Sequence, residues 1–149
     1  MKVNELIENR TLIRSKSTIQ EIEGSLTIAE RFLERAEGNL KIEYFDVAFS
    51  LAYQSMFHSA RALLFKNNLK ERSHAALING LKELYAGEPE LQTILQTMNS
   101  YRITRHAVQY SGVGCNTEDA EMAIKDAKEF IEIADRIISQ LPTIEMVGL

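Results

Sequence analysis

Between Arg102 and Tyr110 the chain gathers Arg102, Arg105, His106, Gln109 and Tyr110. Guanidinium groups hold phosphate oxygens through charge-assisted hydrogen bonds, and imidazole moves protons near neutral pH. Placement makes this group stand out. Upstream, Leu91, Leu95 and Met98 recur at helical spacing as an inward stripe, with Ile94 on its flank. The same angle continued passes through Arg102, Arg105 and Gln109, with His106 beside them. Cationic side chains thus stand where the pattern asks for apolar ones. A guanidinium removed from water needs a partner, and no Asp or Glu occurs from Leu91 to Thr117. The partner must come from another helix, another subunit or a ligand, unless this end of the helix simply projects into solvent.

Three further groups have chemical potential. His58 and Arg61 lie one turn apart on a polar seam and are either satisfied core-edge residues or part of the same cationic cleft. Glu71 and His74 form an E-x-x-H pair, but a di-iron bundle needs a second such pair and two more inward glutamates, and no second pair exists. No metal and no cofactor is expected. Cys115 stands alone in a polar turn, which excludes a disulfide framework and a Cys-rich zinc site and makes it a bystander thiol. There is no glycine-rich phosphate loop, nucleophile elbow or H-E-x-x-H.

These residues are positioned by a chain that reads as helical throughout. The segment Tyr44–Phe65 is apolar almost all round, with only the narrow seam Asp46, Ser50, Gln54, His58 and Arg61 left polar. Such a helix is a buried central rod. Before it, Ile19, Ile22, Leu26, Ala29, Leu33, Ala36 and Leu40 alternate spacings of three and four, and Gly38-Asn39 signals a stop. After it, Asn67-Asn68 makes a turn, and Ser73 caps a short helix that ends near Gly87 and Pro89. Residues 90–110 form the next helix, broken at Ser111-Gly112-Val113-Gly114. Thr117 caps the last one, whose seam runs Ala120, Ile124, Ala127, Ile131, Ala134, Ile138, Leu141, and Pro142 marks its end. No segment shows strand alternation. The expected architecture is an all-α, antiparallel up-and-down bundle of four long helices plus short ones. It forms one domain over 1–149, with a core at about 18–141, a short N-terminal helix at 3–15 and an apolar tail at 142–149.

Composition narrows the setting. Hydrophobic content of 45% and charged content of 26% are those of an ordinary globular chain, and a net charge of -4 argues against a general nucleic-acid coat while leaving room for a local basic patch. The N-terminus has no apolar signal region and the chain no membrane-length apolar run, so a cytoplasmic protein without membrane contact is expected.

The blocks AYQSMFHSARALLF, SHAALINGLKELY, a helix ending RHAVQY and the capped TEDAEMAIKDAKEFIEIA, in that order, resemble the HEPN domain over roughly residues 20–140. The resemblance is strongest to its small stand-alone prokaryotic branch. It implies a helical bundle that pairs as a homodimer. It also implies a minimal nucleotidyltransferase as partner, in a toxin–antitoxin or nucleotide-signalling module. Ribonuclease members carry an Arg, four to six residues, then His. Here Arg102 and His106 enclose only three residues, and Gln109-Tyr110 follow Arg105 where a histidine would stand. A glutamine amide does not titrate near neutral pH. In some paired systems a tyrosine just after the motif is nucleotidylated by the partner, which points to Tyr110.

The leading expectation is a homodimeric partner protein that binds a nucleotidyltransferase, a nucleotide or RNA at a cleft formed by Arg102, Arg105, His106, Gln109 and Tyr110, with His58 and Arg61 nearby. The enzymatic alternative is a metal-independent ribonuclease with His106 as general base and Arg102 or Arg105 stabilising the phosphorane. A helical scaffold without a ligand is the third reading.

Overall fold

The rod is helix α3, Phe45–Lys66, and the remainder of the chain is laid around it. In this computed structural model, backbone is described for residues 2–147 and side chains for residues 2–140. In chain order the elements are α1 (Val3–Glu8), β1 (Leu12–Arg14), α2 (Ile19–Lys41), α3, β2 (Leu69–Glu71), α4 (His74–Leu84), α5 (Pro89–Tyr110) and α6 (Thr117–Val147). The architecture is all-α, with four long helices and two short ones among the described residues.

Helix α3 packs against α2, α4, α5, α6 and β2. Phe49, Tyr53, Met56, Leu63 and Leu64 are fully buried, whereas Asp46, Ser50, Gln54, His58 and Arg61 all keep some solvent access, as the narrow seam requires. Along α2, Ala29 and Ala36 have no exposed surface, which lets the two backbones come close. The buried Ser55 hydroxyl donates to the Ala29 carbonyl at 2.7 Å, and Ser25 donates to the His58 carbonyl at 2.9 Å. Both hydroxyls thereby find the acceptor that a buried donor needs.

Several local expectations are corrected. Helix α1 ends at Glu8 rather than 15, because Arg10 turns with φ 64 and Leu12–Arg14 leaves as a strand. That strand pairs antiparallel with β2 in the register Leu12↔Glu71, Ile13↔Lys70, Arg14↔Leu69. The pair buries Leu12 and Leu69. Three residues per strand are too few to show an alternation. Gly38-Asn39 does not stop α2, which continues to Lys41 and turns at Glu43. Ile19, at the first position of α2, is exposed. Pro89 opens α5 rather than closing α4, since a missing N–H costs nothing at a helix start.

The cap of α6 is Asn116, not Thr117. The Asn116 side-chain oxygen accepts from the Asp119 N–H at 2.9 Å, and the Asp119 carboxylate accepts from the Asn116 N–H at 3.1 Å. The buried face of α6 is also rotated from the expected seam. Ala123, Phe130, Ile133 and Ile137 are buried, while Ile131 and Ile138 are half-covered. The helix runs past Pro142 to Val147, and the side chains of Leu141 and of the 142–149 tail lie outside the described residues. Among the described residues no helix is long and apolar enough to cross a membrane.

Candidate functional site

Helix α5 changes character midway, as its sequence indicates. Leu91, Ile94, Leu95 and Met98 are buried. One turn later Tyr101 takes the inward direction, its ring edge-on to Phe49 and its hydroxyl donating to the Asp126 carboxylate of α6. Arg102 and Arg105 turn instead toward the start of α4. Together with Ile103, His106 and His74 they line a surface cavity of about 420 Å³.

Both guanidiniums are half-buried and both have neutral partners. Arg102 Nε donates to the Asn99 side-chain oxygen at 3.2 Å. Arg105 Nε makes a long contact of 3.4 Å to the Gln109 side-chain oxygen, and its guanidinium lies 5.0 Å from the centre of the Tyr53 ring. Among the described residues neither forms an ion pair. The cavity therefore carries uncompensated positive charge against an aromatic wall.

His74 enters this cavity as the first residue of α4, directly after the Ser73 cap, whose hydroxyl accepts from the Ala76 N–H at 3.0 Å. Its Nδ1 lies 2.7 Å from the Tyr53 hydroxyl, and its ring stacks on Phe57 with centroids 4.4 Å apart. Burial, then the charges of Arg105 and Arg102, hold the His74 imidazole below its ordinary value of 6.5. Burial pushes the Tyr53 phenol up to about 12, against the opposing pull of the same two arginines. The sequence weighed His74 only as half of an E-x-x-H metal pair, and Tyr53 only as part of the rod. The signal for both lay in the register: Tyr53 and Phe57 are one turn apart on α3, on the side that α4 covers.

The other expected residues lie elsewhere. Gln109 is exposed and donates to the Ser50 hydroxyl at 3.0 Å, lining a neighbouring hollow with Asp46, Leu51 and Val108. Tyr110 is 70% exposed, its ring 4.9 Å from that of His106. Arg61 pairs with Glu71 at 3.0 Å and covers the Phe57 and Phe65 rings, so it is already neutralised. That ion pair also turns Glu71 to Arg61 while His74 bonds Tyr53. His58 faces α2, stacked on Phe32. Cys115 points its thiol toward the Phe45 carbonyl at 3.5 Å, and burial, with Asp119 and Asp46, raises it to about 11, which leaves no reactive thiolate at neutral pH. Among the described residues no group of three or more His, Cys, Asp or Glu side chains is arranged to hold a metal ion.

Fold and site together define a small all-helical bundle whose buried rod and fifth helix share a cationic hollow. The family model for the HEPN domain matches residues 22–137, and the chain belongs to that family. A Methanocaldococcus jannaschii protein named "putative toxin" is 27% identical over 129 residues, covering 85% of this chain and 96% of the relative. A "UPF0332 protein" of Gloeobacter violaceus is 31% identical over 116 residues, covering 75% and 91%. A second M. jannaschii "putative toxin" is 25% identical over 114 residues, covering 75% and 78%.

Proposed function

We propose that this chain is a toxin-type HEPN protein that binds RNA, or a nucleotide, through phosphate at the Arg102–Arg105 cavity. The observation that carries the reading is two half-buried guanidiniums on one hollow, both held by neutral side chains. A phosphate there supplies the anionic acceptor that the chain itself withholds, in the forked geometry guanidinium favours. The relatives named as toxins support the biological class.

The working unit is a homodimer. Ile103, 60% exposed on the rim of the cavity, gives that rim an apolar side chain suited to a second copy. The partner is a minimal nucleotidyltransferase, and Tyr110, exposed just beyond the cavity, is the hydroxyl within its reach.

Fluorescence anisotropy with a labelled single-stranded RNA, competed by ATP and by inorganic phosphate, tests the binding. Removing one charge-assisted contact costs about 1.5–3 kcal/mol, so Arg102→Ala and Arg105→Ala should each weaken binding by about 10- to 100-fold with helicity unchanged. Binding that survives the double substitution would overturn the reading. Co-expression with a minimal nucleotidyltransferase should add a nucleotide's mass to the wild-type chain but not to Tyr110→Phe. An unmodified wild-type chain would remove that partner's action.

A further inference from the structure

The family's ribonuclease histidine position is filled here by Gln109, which the structure ties to Ser50 outside the arginine cavity. An imidazole reaches that cavity by a different route, from the first residue of α4. We propose that His74, held through Nδ1 by Tyr53, is the proton-accepting catalytic residue of the cavity, and that the substrate is RNA cleaved at a phosphodiester bound by Arg102 and Arg105. This rests on the phosphate-binding reading above and adds a reaction to it.

The geometry supplies the parts a transphosphorylation needs. RNA carries its own nucleophile, the ribose 2′-hydroxyl beside each phosphodiester. The enzyme has only to hold the phosphate, take one proton and give one back. The 2.7 Å contact between His74 Nδ1 and the Tyr53 hydroxyl fixes the ring and leaves Nε2 as the nitrogen available to the cavity. With its proton on Nδ1, donated to the phenol oxygen, the neutral ring presents the Nε2 lone pair. Stacking on Phe57 removes the remaining freedom of the ring plane.

In the step itself, His74 Nε2 takes the 2′-hydroxyl proton as the 2′-oxygen–phosphorus bond forms. The phosphorus–5′-oxygen bond breaks, and His106, protonated on the same cavity wall, gives its proton to the departing oxygen. Arg102 and Arg105 take up the charge gathering on the non-bridging oxygens. The products are a 2′,3′-cyclic phosphate and a 5′-hydroxyl end. Proton exchange with water resets the two imidazoles.

The electrostatics couple binding to reactivity. In the empty cavity Arg105 and Arg102 help keep His74 neutral. A phosphodiester seated between them offsets that charge, so the imidazole becomes a better proton acceptor once substrate is in place. Tyr53 touches neither the phosphate nor the sugar in this scheme and is a positioning residue.

The test uses the full chain and a randomised single-stranded RNA pool, beside an all-deoxy pool. Wild type should cleave RNA to cyclic-phosphate ends and leave the deoxy pool intact. His74→Ala should lose at least about 100-fold in cleavage while binding RNA within about threefold of wild type, and added imidazole should restore part of the rate. His74→Asn, which keeps a polar group at the helix start but does not titrate, should be equally inactive if the alanine variant proves unstable. Tyr53→Phe should lower kcat with KM unchanged. RNA that stays intact with wild type while binding at the arginines would overturn the reaction and leave the binding reading standing. Cleavage that survives both His74 substitutions would overturn the role of His74. A protein that binds no RNA at all fails both.

Discussion

At the scale of single residues, the two half-buried histidines show how similar environments serve different ends. His58 and His74 are both held below 6.5, each by burial first and a neighbouring arginine charge second. His74 has a partner for Nδ1, whereas His58 Nδ1 is buried without one, its ring stacked on Phe32 at 5.4 Å and edge-on to Phe57 at 5.2 Å. A histidine whose folded value lies below its unfolded value binds fewer protons in the folded chain. Stability is then complete above about pH 6.5 and falls as pH drops through the window beneath it. Thermal melts should therefore show a lower midpoint at pH 5 than at pH 7.5. His58→Phe should shrink that difference without abolishing it, because His74 contributes in the same direction. An unchanged difference in the variant would mean that the ring keeps its proton inside the fold.

At the scale of elements, the ends of the helices carry the local information that the sequence hides or shows. Thr18 forms a full capping box with Glu21, and Ser73 caps α4 as its type and position indicate. Before α6 two capping residues stand side by side, and sequence alone favoured Thr117. The reciprocal bonds between Asn116 and Asp119 assign the cap to Asn116. Asn116→Ala should cost about 1 kcal/mol in urea unfolding and Thr117→Ala much less; the reverse order would contradict the assignment. The four long helices were legible because each buries a stripe at a steady period, and the arginines of α5 were legible because they interrupt one. Two things were not. The β1–β2 pair depends on a contact between distant segments only three residues long. The Tyr53–His74 contact depends on how α4 is set against α3, which periodicity within either helix does not encode. The same limit explains α6, where a run of alternating Ala and Ile fits two adjacent stripes and packing of Phe130 against the core chooses between them.

At the scale of the whole molecule, a net charge of -4 sets the terms on which the cavity works. A polyanion approaching at random meets net repulsion, so attraction is confined to the hollow where Arg102 and Arg105 stand without acidic partners. Salt dependence measures how many phosphates are engaged. For a single strand the slope of log affinity against log salt is about -0.7 per phosphate neutralised, so two arginines acting on one strand give about -1.4. In the proposed homodimer a strand long enough to span both cavities engages twice as many, and the slope steepens to about -3. A short oligonucleotide confined to one cavity keeps the shallow slope. Anisotropy titrations between low and physiological salt, with a short and a long RNA, should separate the two values, and light scattering on the same samples should give twice the chain mass. Ile103→Lys, placed on the exposed rim, should return the mass to that of one chain and the long-RNA slope to the shallow value, while Arg105→Ala should lower the slope for both lengths. A steep slope retained by a monomeric Ile103→Lys protein would show that the strand is held by charges outside the arginine cavity, and the dimeric cleft would be ruled out.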